Sequence, residues 1–226
     1  MPSYVVRVWL PDRPGALGAV ASRIGAVRGD LIGIEILERG AGRAIDELVV
    51  SLPEAGLVDL LIAEIGQVEG VNVEDVRPMP PAARDPRLDA LETAAILVEQ
   101  ISVEALHEAL AAHAMHDFEA TWSTVLDLDG PVALAAVGAV PAAPWLAAFV
   151  AGSRSSVRVV AGESGPDDIA WATLGGADLA VVLGRDGRPF RARERQQLTA
   201  LARIADSRWM ELVRRASREV HPTALV

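Results

Sequence analysis

The residues best placed to do chemistry are Asp12-Arg13-Pro14-Gly15-Ala16-Leu17. They join a carboxylate and a guanidinium to a turn that leads from an alternating apolar run into an amphipathic one. Pro14 suits a first helical position, where its fixed φ and missing N–H cost nothing. Gly15 has no Cβ, so a ligand or a second backbone can come close. The free N–H groups of a helix start attract an anion, a carboxylate among them. The chemistry implied is reversible binding of a small acid such as an amino acid. The same residues also read as a well-capped helix start and nothing more, because Asp and Pro both favour that place.

Catalytic chemistry finds few candidates. The chain has no Cys, which removes thiol catalysis, disulfides and Cys-bound zinc or iron–sulfur sites. Its 21 basic residues are all Arg, which removes Schiff-base chemistry on lysine. His113 and His116 stand three apart beside Asp117 and near Glu119, with His107 further back, yet no zinc-type spacing such as His-Glu-x-x-His occurs. Ser153, Ser155 and Ser156 near Arg154 lack a Gly-x-Ser-x-Gly elbow, and His221 is far along the chain. The expectation is no catalytic residue, no metal and no cofactor. A deep pocket in the second half lined by paired carboxylates, or by a His with a carboxylate partner, would reopen an enzymatic reading. Arg185, Arg188, Arg191, Arg193 and Arg195 crowd one stretch, and with Glu194 among them they read as a solvated face rather than an anion site.

The elements that must position the Asp12 turn follow from periodicity. Val6, Val8 and Leu10 alternate with Val5, Arg7 and Trp9, which predicts a strand with Arg7 and Trp9 on its open face. Leu17, Val20, Ala21, Ile24 and Val27 recur at helical spacing, and Gly29-Asp30 ends that helix. Ile32, Ile34 and Ile36 alternate with Glu35 as a second strand, Gly40-Ala41-Gly42 turns the chain, and Ile45 to Leu52 returns as a third. Leu57, Leu60, Leu61, Ile65 and Val68 form a second helical stripe, and Val71, Val73 and Val76 belong to a fourth strand. The order is βαββαβ, a ferredoxin-like arrangement whose two helices cover one sheet face and leave an edge that invites pairing.

Pro78 to Pro86 holds four prolines and little to bury, so 78–86 reads as a linker between residues 1–77 and residues 87–216, with 217–226 as a tail. In the second half Leu88, Leu91, Ala95 and Val98 have helical spacing, and a further helix is expected from about Ser102 to Ala114. Strands are expected at Thr121 to Leu128 and Val132 to Val137 around Asp129-Gly130, with Val157 to Val160 extended. Two more, Ala170 to Leu174 and Asp178 to Leu183, meet across Gly175-Gly176, and a long helix carries Leu198, Leu201, Ala202, Ala205, Trp209 and Leu212 on one face. The apolar stretch Pro131 to Val150 is broken by prolines and reads as a buried strand and a helix, not as a membrane span. Helices around an antiparallel sheet make this half α+β as well.

The whole chain carries a net charge of −10, which argues against nucleic acid, and 51% apolar residues, ample for packed cores. The start of the chain shows no secretory pattern, and with no Cys it fits a cytoplasmic setting.

Two resemblances add to this reading. Through Asp12-Arg13-Pro14-Gly15-Ala16-Leu17 and Gly29-Asp30-Leu31-Ile32, residues 3 to 77 resemble an ACT domain, a small regulatory module of amino-acid metabolism. The resemblance implies an amino-acid ligand held at a subunit interface. Asp12, Arg13, Pro14, Gly15, Ala16 and Leu17 would form the turn side, and Asp30, Leu31 and Ile32 of a neighbour the strand side. The family often has Asn where this chain has Asp30, and a carboxylate there accepts from an ammonium but donates nothing to a carboxylate. Through Gly176-Ala177-Asp178-Leu179-Ala180-Val181-Val182-Leu183, Pro189-Phe190, Glu194, Leu198 and Leu201, residues 119 to 212 resemble a GAF domain, a sensory fold. There is no Cys to attach a bilin and no Asn-Lys-Phe-Asp motif. Together the resemblances imply a non-enzymatic, small-molecule-sensing homodimer acting on a downstream protein, or else a dimerisation protein whose modules bind no ligand.

Overall fold

Alternation around Arg7 produces the first strand, β1 (Ser3–Pro11), and the computed structural model describes residues 1–79, 86–154 and 168–220. The expected extended segment 157–160, most of the 78–86 linker, Ser155, Ser156 and His221 lie outside those residues. The chain divides into two compact units, Met1–Ala83 and Arg84–Val226.

In the first unit β1 is followed by α1 (Ala16–Ala26), β2 (Asp30–Gly40), β3 (Arg43–Ser51), a 3-10 turn at Ala55–Leu57, α2 (Val58–Ile65) and β4 (Asn72–Pro78). The sheet order is β2-β3-β1-β4, antiparallel throughout, which is the ferredoxin-like topology expected from the pattern. Val20 and Ile24 of α1 and Leu61 and Ile65 of α2 bury against Val6, Val8, Leu48 and Val50. Each such side chain contributes about 2 kcal/mol when fully buried.

Three features go beyond what periodicity alone shows. First, helix α1 ends at Ala26, and the left-handed residue that stops it is Arg28, one before Gly29. Arg28 takes the left-handed conformation at φ 59, with Arg28 N–H bonded to Gly25 O (3.0 Å) and Gly29 N–H to Ile24 O (3.0 Å). This is a Schellman ending built on an arginine. Second, Ile32, Ile34 and Ile36 are 55%, 45% and 36% exposed. Strand β2 lies at the sheet edge, and its register shifts twice, at Leu31/Gly33 and Ile36/Glu38. Leu31 and Leu37 turn inward instead. Third, Arg7 lies on the face away from the helices yet is only 1% exposed. It donates to Glu47 Oε1 from Nε (3.0 Å) and Nη2 (2.8 Å), Arg77 Nη1 donates to the same oxygen (3.0 Å), and Trp9 Nε1 donates to Glu74 Oε1 (3.0 Å). Charge pairing across strands, rather than solvation, accommodates the guanidinium.

The second unit contains α3 (Pro86–Glu99), α4 (Val103–Asp117), β5 (Trp122–Asp127), β6 (Val132–Gly138), α5 (Ala143–Arg154), β7 (Ile169–Leu174), β8 (Leu179–Gly184) and α6 (Ala192–Val220). Ser102 caps α4 by accepting from Ala105 N–H (3.1 Å). The sheet order is β6-β5-β8-β7, again antiparallel. Leu110, Ala114, Leu198 and Ala205 pack on Val125, Val181 and Leu183, while Leu146 and Val150 pack on Leu126, Ala180 and Val182. Helices α4 and α6 thus cover one face and α5 the other.

Here too the apolar pattern misleads in places. Leu88, Leu91 and Val98 of α3 are exposed, and Thr93 and Leu97 face inward instead. Strand β6, expected to be buried, is an edge strand with Val132 and Leu134 exposed. The arginine-rich stretch is not simply a solvated face, because Arg185 is buried. It pairs with Glu194 (2.7 Å), donates to the carbonyls of Phe118, Arg188 and Pro189 (2.8 Å each), and lies over the Phe190 ring. No helix among the described residues is long and apolar enough to cross a membrane.

Burial works against the Glu47 carboxylate, but the Arg77 and Arg7 guanidiniums hold its pKa below the usual glutamate value. A depressed folded pKa supplies stability that is present above the unfolded value and lost as pH falls through the folded one. Glu47→Gln leaves Arg7 buried with its main anion neutralised. It is expected to cost the first unit's unfolding transition about 3 kcal/mol near neutral pH, with the deficit shrinking in acid, as read by denaturant titration at a series of pH values.

Candidate functional site

The turn after β1 is built differently from a proline-started helix. Gly15 has φ 88 and ψ −15, and Ala16 N–H bonds to Arg13 O at 3.3 Å. These are the marks of a type II turn with Pro14 and Gly15 at its two central positions. Pro14 therefore precedes the helix, which begins at Ala16 with Ala19 N–H bonded to Gly15 O (2.9 Å). A left-handed residue cannot continue a right-handed helix, so Gly15 sets the boundary. No side chain caps this helix end, so Asp12 does not serve as its cap. Asp12 instead donates its N–H to Gly42 O (2.9 Å), and its carboxylate Oδ1 lies 3.8 Å from Arg39 Nε. Asp12, Arg13, Pro14 and Gly15 are exposed, Leu17 is half-buried, and Ala16 is buried in the core.

The strand side of the expected site is elsewhere. Asp30 pairs with Ser51, which also faces Ser3, whereas Pro11 and Gly40 both face Arg43. Asp30, Leu31 and Ile32 therefore begin at one end of the sheet and the turn lies at the other. The length of β3 between these pairs spans about 26 Å. One copy of the chain does not bring the two groups together.

Periodicity did not single out Asp46, which sits on β3 opposite Val8 and Ile36, on the face that carries α1. It is 3% exposed, and Oδ1 has no hydrogen-bond partner among the described residues. Burial raises its pKa above the usual aspartate value. Arg39 pulls the other way, and Asp12 adds to the rise. A carboxylate inside an apolar strand pattern was the available signal. A charge that interrupts a buried face needs a partner or a reason.

The second unit offers less. An open groove of about 600 Å³ runs along Val98, Ile204 and Arg208, and several of its polar groups are engaged. Arg208 donates to Gln100 O (2.9 and 2.6 Å) and to Glu211 (2.6 Å), and Asp206 accepts from Gly176 N–H (2.9 Å). His113 and His116 act on Asp117, whose pKa is raised by burial and lowered in part by the Thr93 hydroxyl and these imidazoles. Burial holds His107 below the ordinary histidine pKa, with Glu104 opposing it.

A raised folded pKa means that the Asp46 charge lowers stability as pH climbs from the unfolded value through the folded one; below both it imposes no penalty. Asp46→Asn is expected to raise the first unit's melting temperature by a few degrees at about pH 7 and to leave it unchanged at about pH 3, as measured by scanning calorimetry.

No family model matches the chain, and no curated protein matches it. Among solved structures, it is similar to the ACT domain from GTP pyrophosphokinase of Chlorobium tepidum, at 15% identity over 34% of this chain and 99% of that one, with a TM-score of 0.28. It is similar to an ACT domain protein from Streptococcus pneumoniae, at 18% identity over 34% of this chain and 89% of that one, TM-score 0.28. A third neighbour is the uncharacterized protein TM1266 from Thermotoga maritima, at 22% identity over 34% of this chain and 95% of that one, TM-score 0.28. The structural neighbours with a stated domain type among these three are ACT domains, and they span about a third of this chain.

Proposed function

We propose that this chain is a non-enzymatic, cytoplasmic, small-molecule-sensing regulatory protein whose ACT-like first unit binds an amino acid between two copies. The observation that carries the reading is the separation of the two candidate groups along an exposed edge strand. If two β2 edges meet antiparallel about a two-fold near Glu35, Asp30 of the second copy comes opposite Gly40, and Ile32 opposite Glu38. Those positions adjoin Arg39 and the Asp12 turn. The exposed Ile32, Ile34 and Ile36 supply apolar surface for such a meeting. The ligand carboxylate is then held by the uncapped start of α1. In this reading the GAF-like second unit senses another ligand or relays the state to a downstream protein. Ligand at the interface favours one arrangement of the dimer over others through its differential affinity.

The alternative is a dimerisation protein that binds no ligand, which the isoleucine edge alone would serve equally well. Titration calorimetry with the twenty standard amino acids, combined with analytical ultracentrifugation, separates the two. The sensing reading expects a dimer and at least one binder; a monomer that binds none ends it. Gly15→Trp is expected to abolish ligand-induced stabilisation, which reaches about 2.7 kcal/mol at a hundredfold excess over Kd. Gly15→Ala is the control. No atom lies within 4 Å of the added methyl group, so this variant introduces the positive-φ strain without the bulk and keeps the response.

A further inference from the structure

We infer that Asp46, on the central strand β3, is the ammonium anchor of a site at the Asp12 turn, and that the site selects ligands carrying a primary amine. The inference rests on the proposed binding site and adds the group that gives it chemical preference. Asp46 is 3% exposed and its Oδ1 is unpartnered among the described residues, although every other acidic side chain on β3 is paired: Glu47, one residue on, is engaged by two arginines. A buried carboxylate oxygen without a hydrogen-bond partner costs stability. An aspartate in this place makes sense if its partner arrives with the ligand.

The surroundings fix the chemistry of that partner. Asp46 lies on the α1 face, two residues along β3 from Ala44, whose methyl shares a core cluster with Ala16 at the helix start. Asp12 and Arg39 are close enough to perturb it, and they lie 3.8 Å apart from each other. Of the groups that act on Asp46, Asp12 adds a second carboxylate and Arg39 is held by Asp12, so a cationic donor is the partner Asp46 lacks. A calcium or magnesium ion would need at least six oxygen ligands, and no group of three or more His, Cys, Asp or Glu able to hold a metal occurs among the described residues. An ammonium has three N–H donors, and Asp46 and Asp12 both accept. With a carboxylate at the uncapped end of α1 and an ammonium at Asp46, the site is complementary to the two charges of an α-amino acid.

The test uses the full-length chain and its Asp46→Asn variant. Each is titrated with the twenty standard amino acids, with the desamino carboxylic acid of any binder, and with butylammonium chloride. The wild type is expected to bind at least one amino acid and to respond to butylammonium. Asp46→Asn is expected to lose at least about tenfold in affinity for both and to keep its affinity for the desamino acid. An amino acid that binds the variant as tightly as the wild type overturns the role of Asp46 and leaves the amino-acid reading standing. A wild-type response to butylammonium alone, lost in the variant, keeps the anchor and overturns the amino-acid reading. A wild type that responds to neither probe overturns both. Should the variant fold poorly, carbon NMR of the wild-type Asp46 carboxyl decides. Its titration must move to lower pH when the binding probe is added, and an unmoved titration overturns the inference.

Discussion

The first unit depends on one constraint, the two-residue period of β3. This strand pairs with β1 on one side and β2 on the other, so its side chains face two different environments in alternation. Asp46 and Glu47 are neighbours in the chain and point to opposite faces of the sheet. Glu47 meets Arg7 and Arg77, which turn it into the centre of a charge-paired layer. Asp46 faces the helix side, beside Val8 and Ile36 on the neighbouring strands and Ala44 on its own, and the charges that act on it are Arg39 and Asp12. The same side-chain chemistry is thus structural on one face and unsatisfied on the other.

That asymmetry bears on the turn after β1. Pro14 and Gly15 set a type II geometry that starts α1 late and leaves its first N–H groups without a side-chain cap. Asp12 is thereby released from capping and joins Arg39 at the end of β2. A helix end, a pair of carboxylates and an arginine come together at one end of the sheet. The strand start that the ACT resemblance assigns to the same ligand lies at the other end, and an edge strand connects the two. Under the proposed function, a second copy supplies the group that one chain keeps at the other end of the sheet.

The second unit shows how similar apolar patterns reach different ends. Strands β5 and β8 are central and fully packed between α4 and α6 on one side and α5 on the other. Strand β6, equally apolar, is an edge and shows Val132 and Leu134 to solvent. Arg185 is held by three carbonyls and Glu194, so it pins the start of α6 to the end of α4. Its position within an arginine-rich run gave no sign of this role, because the carbonyl of Phe118 lies far from it in the chain.

Among the described residues, the sequence by itself determined the kind and order of the main helices and strands. Alternation at Val6, Val8 and Leu10, helical spacing at Val20 and Ile24, and Gly-rich turns are local properties, and local properties survive in the fold. The turn was legible as a turn, though the placement of Pro14 and Gly15 within it was one step off, since helix and type II turn share the same residues. Tertiary structure alone decided which strand is an edge, that Arg7 is buried, that Asp46 Oδ1 has no hydrogen-bond partner among the described residues, and that Asp30 and Asp12 lie at opposite ends of one sheet. Each of these is a relation between segments distant in sequence, fixed by strand order and register. A period of two or of 3.6 says that a residue has a face; only the neighbouring strands determine what that face meets.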